Sequence, residues 1–166
     1  MFRLTLVLSL FCFFQSKAQV KSSAYDLMLS TLLSHSVTEI SVKELNEMEG
    51  VLLVDAREAE EFAVSRMPGA KHVGYDKFDI ESFNNITKEQ KIVVYCSVGY
   101  RSEKVAEKLR QAGFKQVFNL YGGIFEWVNQ GNVVVNSENQ PTENVHAFST
   151  VWGIWLNKGT KVYTSP

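Results

Sequence analysis

Ile92-Val93-Val94-Tyr95-Cys96-Ser97-Val98-Gly99-Tyr100-Arg101-Ser102 is the stretch on which the reading of this chain turns. Its first four residues are apolar and largely β-branched, as a strand covered on both faces requires. A glycine follows the cysteine, and Val105, Ala106, Leu109 and Ala112 then recur at helical spacing from about Ser102 until Gly113 ends the run. The stretch therefore predicts a strand, a tight loop carrying a thiol, and a helix.

The same alternation extends in both directions. Upstream, Val51-Leu52-Leu53-Val54, bounded by Gly50 and Asp55, predicts a second central strand. It is preceded by a Ser41/Glu44 capping box and a short helix with Val42, Leu45 and Met48. Between the two strands lie a helical segment from Glu58 to Phe62, a Met67-Pro68-Gly69-Ala70 turn, a short strand from Lys71 to Val73 and a short helix from Ile80 to Phe83. Downstream, Val117-Phe118 predicts another strand, and Gly122-Gly123 opens a helix through Trp127. The expected fold class is α/β, a doubly wound parallel sheet of about five strands with helices on both faces. Ligands of such sheets bind at the carboxyl ends of the strands, where Cys96 stands.

Two segments flank this unit. Ser23 and Asp26 in capping-box spacing, followed by Tyr25, Met28, Leu29, Leu32 and Leu33 on one face, predict an amphipathic N-terminal helix that packs on the domain. From Asn136 to Asn144 the chain reads as a polar loop; Phe148, Trp152 and Trp155 then suit a helix packing back, which Gly153 weakens. The expected divisions are a leader over 1–18, a helical extension over 19–37, the α/β domain over 38–135 and a C-terminal extension over 136–166.

The 166 residues carry 17 Lys+Arg, 18 Asp+Glu and a net charge of -1, so no basic field for a nucleic-acid backbone exists. Arg3, the apolar run Leu4 to Phe14 and the small residues Ser16 and Ala18 read as a signal peptide cut after Ala18. The run is too short for a membrane span, which needs about 20 residues. Lipoprotein processing at Cys12 is disfavoured by the bulky Phe11 before it. The cut removes two basic residues, leaving 15 against 18 acidic and a net charge of -3, and it removes Cys12. The chain is expected to be exported, to the periplasm or into the medium, with Cys96 as its single thiol.

A cysteine on a loop that ends at a helix N-terminus is placed to ionise. Free N–H groups and the helix dipole favour a thiolate, lowering a thiol pKa from about 8.5 into the range of roughly 3.5 to 7.5. The expected donors are the N–H groups of Ser97, Val98, Gly99, Tyr100, Arg101 and Ser102, with Gly99 letting the loop curl. Arg101 places a fixed charge beside the site, for an anionic substrate or for a carboxylate that holds the loop. Asp55 and Arg57 could act as acid and anion clamp. A carboxylate and a guanidinium at neighbouring strand ends can equally brace the loop by pairing with each other, Glu61 or backbone amides, and bracing is the expectation. His72 and His146 lack spaced partners, and no His/Cys/Asp cluster has metal-ligand spacing, so neither a metal nor another cofactor is expected.

The loop C-x4-R resembles that of the rhodanese-like sulfurtransferases. Val54-Asp55-Ala56-Arg57-Glu58 with Glu61-Phe62 resembles the family's V-D-x-R-E...E-[YF] segment, Met67-Pro68-Gly69-Ala70 its h-P-G-A turn, Gly113-Phe114 with Val117 its G-F-x-x-V, and Leu120, Gly122, Gly123 and Trp127 its L-x-G-G-x-x-x-W. Arg66, where histidine is commoner, and Ala59, where proline is frequent, depart from the pattern. The resemblance implies that Cys96 takes a sulfane sulfur from a small anion such as thiosulfate, holds it as a persulfide and passes it to a thiol, a protein thiol or cyanide. Related phosphatases and arsenate reductases use a loop one residue longer, so a phosphate should fit poorly here. A thiol-redox protein and a non-catalytic binding or persulfide-carrier module are the competing readings. A single cysteine disfavours a self-resolving redox cycle. Tyr100 and the C-terminal aromatics are expected to wall the pocket.

Overall fold

The computed structural model describes residues 20–164. The leader read at 1–18, with its Cys12 alternative, lies outside the described residues. Helix α1 (Ser23–Leu32) is capped by Ser22, whose hydroxyl accepts the Tyr25 N–H at 3.3 Å, so the cap falls one residue before the expected Ser23/Asp26 box. Its apolar face buries Tyr25 and Leu29. Strand β1 (Thr38–Ile40) leads into α2 (Val42–Glu47), where the Ser41/Glu44 capping box forms as read. Three residues are too few to show a period of two, which is why β1 escaped the sequence reading.

Strand β2 (Val51–Asp55) is followed by α3 (Ala59–Val64) and β3 (Lys71–His72), with the Met67–Ala70 turn between them. There Ala70 donates to the Met67 carbonyl, and Gly69 at φ 74 takes the left-handed position that such a turn requires. A 3-10 turn at Ile80–Phe83 precedes β4 (Lys91–Tyr95); α4 (Tyr100–Gln111), β5 (Gln116–Leu120) and α5 (Gly123–Asn129) follow. The five strands form one parallel sheet in the order β1-β5-β4-β2-β3. The fold is the doubly wound α/β arrangement that the alternation predicts.

Alternation along the strands divides the core. Ile92 and Val94 of β4, with Val54 and Val117, meet Val105, Ala106 and Leu109 of α4 and the turn residue Phe83. Val93 and Tyr95 face the other way, into a cluster with Tyr25 and Leu29 of α1, Val42 and Leu45 of α2, and Ile124, Phe125 and Val128 of α5. Both faces are covered, so every β4 residue after Lys91 is buried.

The C-terminal segment packs back on the domain, against α1 and α5 and, through Asn144–His146, against α3. Strand β6 (Val134–Val135) pairs antiparallel with β7 (Pro141–Thr142), so the expected polar loop is a small hairpin. Strand β8 (Asn144–His146) pairs parallel with β9 (Thr160–Val162), and between them α6 spans Thr150–Gly153 only. Trp155 stacks on Tyr25 with ring centroids 5.2 Å apart, and Val145, Ala147 and Leu156 join the α1/α5 cluster. Phe148 lies outside α6 at φ 63 and projects into solvent over the cysteine loop. Among the described residues no helix is long and apolar enough to cross a membrane.

Candidate active site

Strand β4 lies between β2 and β5, so the residue after Tyr95 leaves the centre of the sheet at its carboxyl end. That residue is Cys96. The backbone turns over Ser97 and Val98 and reaches Gly99, whose φ of 122 is the reversal that starts α4 two residues earlier than Ser102. Gly99 donates its N–H to the Cys96 Sγ at 3.1 Å. The N–H groups of Tyr100, Arg101 and Ser102 belong to the first turn of α4 and donate to no main-chain carbonyl among the described residues. The Ser102 hydroxyl lies 3.5 Å from Sγ and donates to the buried Asn119 Oδ1 at 2.7 Å, while the Asn119 amide donates to the Gly99 carbonyl at 3.1 Å. Asn119 is a loop support that the sequence reading missed, since a single polar residue in a strand carries no signal of its own.

Carbonyls of the loop are turned away from the sulfur. Those of Cys96 and Ser97 accept the N–H groups of Ile124 at 2.9 Å and Phe125 at 3.1 Å, the first turn of α5. Gly123 makes this approach possible: a Cβ there would stand 2.4 Å from the Cys96 oxygen. The Gly-Gly pair, read as the opening of a helix, is thus the point where one helix N-terminus grips the loop that feeds another.

Arg101 folds back over the loop onto Glu61 of α3. Its Nη1 meets Glu61 Oε2 at 2.6 Å, and its Nη2 meets Oε1 at 2.8 Å and the Ser97 hydroxyl at 3.0 Å. Ser97 in turn donates to Glu61 Oε1 at 3.1 Å. Burial pushes the Glu61 carboxyl up, but the Arg101 hydrogen bonds and charge, with Arg57 beyond, hold it below its ordinary value. Asp55 and Arg57 form a separate, fully buried pair. The Asp55 carboxylate accepts Arg57 Nε at 3.0 Å and the Arg57 backbone N–H at 2.9 Å, and Arg57 Nη2 donates to the Ser65 carbonyl at 2.7 Å. This pair ties β2 to the end of α3, so Glu61 alone of the three expected braces touches the loop.

Leu32, Cys96, Ser97, Val98, Tyr100, Arg101, Phe148 and Trp152 line a hollow of about 300 Å³. Cys96 lies at its floor, 1% exposed. Of the six residues expected around the sulfur, Ser102 sits beneath the loop and Gly99 offers its amide from inside; the other four line the hollow. Leu32 was not anticipated there. Arg101 stands under the Phe148 ring, 5.0 Å from its centroid. Among the described residues no group of three His, Cys, Asp or Glu side chains could hold a metal ion.

A free thiol at a strand end, an amide on its sulfur and a bidentate arginine closing the loop can stabilise a sulfur anion and present it to a small molecule. Residues 39–130 match the rhodanese-like domain. The chain belongs to the rhodanese-like family. It is 33% identical over 111 residues to a sulfurtransferase of Allochromatium vinosum, covering 67% of this chain and 99% of that protein. It is 27% identical over 96 residues to the thiosulfate sulfurtransferase GlpE of Coxiella burnetii, covering 58% and 89%. Among solved structures, a Bacillus halodurans protein aligns with a TM-score of 0.55 at 27% identity, covering 69% of this chain and 85% of that one. A rhodanese-related protein of Thermoplasma volcanium aligns at 0.53 and 26%, covering 59% and 97%. The rhodanese-like match ends at 130 and begins at 39, so Leu32, Phe148 and Trp152 wall this hollow from outside the matched region.

Proposed function

We propose that this protein is an exported sulfurtransferase that carries a sulfane sulfur as a persulfide on Cys96. The observation that carries the reading is the Cys96 sulfur itself, at the floor of a solvent-reached hollow with the Gly99 N–H directed at it. In the loading step the Cys96 thiolate attacks the terminal sulfur of a donor such as thiosulfate. The donor S–S bond breaks, its electron pair leaves on sulfite, and the sulfane sulfur stays on Sγ. In the second step a thiolate or cyanide attacks that outer sulfur, and the Cys96 thiolate leaves. Both leaving groups are stable anions, so neither step calls for a metal or a separate general base. The free amides of the α4 first turn are available to an anion on the outer sulfur, as in an oxyanion hole. Export rests on the leader read at 1–18.

Intact-mass measurement after exposure to thiosulfate tests the reading. The expected result is one added sulfur atom on the wild-type protein and none on Cys96→Ser; gain by the variant overturns the assignment. Many turnovers of thiosulfate per protein distinguish a catalyst from a carrier that gives one equivalent. Amino-terminal sequencing of the exported protein, expected to start at Gln19, checks the leader.

A further inference from the structure

We infer that Leu32, Phe148 and Trp152 make the site selective for an apolar organic thiol as sulfur acceptor, in preference to cyanide or a small charged thiol. The inference rests on the persulfide reading of Cys96 and names the acceptor that this reading leaves open.

Three observations carry it. The walls of the hollow above Cys96 are an α1 leucine, the exposed Phe148 and the α6 tryptophan, joined by Val98 and Tyr100 from the loop. Both extensions outside the family match contribute to the wall above this sulfur, and the volume of about 300 Å³ is at the lower bound of small-ligand pockets. Second, Arg101 is the single charged residue lining the hollow among the described residues, and its charge is already engaged by both Glu61 oxygens. Phe148 covers the guanidinium from the open side. A charge on the body of the acceptor, away from its reacting sulfur and the loop amides, would lose hydration against these apolar walls and find no free counter-charge there. Third, the apolar lining continues. Leu32 and Trp152 also border a shallower hollow of about 570 Å³ formed with Ala24, Leu27, Met28 and Thr31 of α1, room for the body of a thiol whose sulfur reaches Cys96.

The transfer balances as R–S⁻ attacking the outer sulfur of Cys96–S–SH. The new bond gives R–S–SH, the Sγ–S bond breaks, and its electron pair returns to the Cys96 thiolate; no outside oxidant or reductant enters.

Steady-state transfer from thiosulfate to benzyl mercaptan, 2-mercaptoethanesulfonate and cyanide tests the inference on the mature protein and on Phe148→Ala. The variant-to-wild-type ratio for each acceptor cancels the intrinsic nucleophilicities. Phe148 is 49% exposed, so its truncation leaves the fold intact. Loss of an aromatic wall is expected to lower kcat/KM for benzyl mercaptan about 10-fold and to leave the sulfonate and cyanide within about two-fold. Val151→Ser, at a 70% exposed position outside the hollow, should change none of them. Equal ratios for all three acceptors overturn the inference, as does transfer confined to a cysteine-bearing protein with benzyl mercaptan idle. Absence of sulfur loading on Cys96 sinks the persulfide reading instead. Quenching of tryptophan fluorescence by benzyl mercaptan in Cys96→Ser then decides the pocket alone: binding weakened by Phe148→Ala upholds it, and no binding overturns it.

Discussion

Gly123 stands directly beneath the cysteine loop, where a Cβ would lie 2.4 Å from the Cys96 carbonyl oxygen and 2.7 Å from that of Ser97. Its φ of 55 is also left-handed. A side chain at this position must therefore push the loop off the α5 N-terminus and strain its own backbone. Gly123→Ala is expected to cost about 2–4 kcal/mol, from an αL penalty of about 1–2 and an overpacking cost of similar size. Urea denaturation measures that loss. Sulfur loading of Cys96 should fall further than stability alone explains, since the Gly99 amide is placed by the same loop; loading at the wild-type rate would show that the grip is dispensable.

Asp55 and Arg57 are both fully buried, and Arg57 Nη1 has no partner among the described residues. Removing one member strands the other's charge in the core. Arg57→Leu alone is expected to destabilise by about 3–5 kcal/mol, whereas pairing it with Asp55→Asn should recover part of the loss. A double-mutant cycle in urea checks this, and strictly additive losses would show that the pair acts as two independent contacts.

The periodic and punctuated parts of the chain were legible before the structure. Val51–Val54 and Ile92–Tyr95 announced central strands because both of their faces are covered, and Gly113 marked the end of α4. The loop C-x4-R placed the thiol at a strand end. Less could be read where tertiary contacts decide. β1 is three residues long and exists because β5 offers it an edge. Gly122-Gly123 gave no hint of close approach, since that depends on where another loop lies. Phe148 and Trp152 were expected in one helix, yet Phe148 adopts φ 63 outside α6 and still reaches the hollow.

Glu61 supplies a pH dependence whose sign follows from its pairing. Burial raises its pKa, the Arg101 hydrogen bonds and charge outweigh burial, and the folded value is lower than the unfolded one. Its contribution to stability is then fully present above the ordinary carboxylate range, about pH 4.3, and is lost as pH falls through the lowered folded value. Glu61→Gln should remove that part of the acid slope and, by leaving Arg101 half-paired, lower stability at neutral pH by about 3 kcal/mol. Urea titrations at a series of pH values measure both; an unchanged acid slope would place the titration elsewhere.

His146 holds the wall residue Phe148 in place. Its Nδ1 accepts the Phe148 N–H at 3.2 Å, which fixes the left-handed turn that puts the Phe148 ring over Arg101. Burial lowers the His146 pKa; Glu61 and Glu60 act against that, and Arg57 and Arg101 reinforce it. The neutral ring is therefore the folded form, and its stability contribution is present above the unfolded value of about 6.5 and lost as pH falls through the lower folded one. Below that point Nδ1 carries a proton and can no longer accept, so Phe148 is released from the mouth of the hollow. Trp152 emission should shift over this acid range. Asn supplies a side-chain oxygen that accepts at any pH, so His146→Asn should abolish the shift while keeping Phe148 in place. The exposed His35 titrates in the opposite sense, its pKa raised by the Ser30 carbonyl and Glu39, so its pairing stabilises at low pH and cannot imitate the effect. A shift of equal size in His146→Asn would show that the wall does not answer to this imidazole.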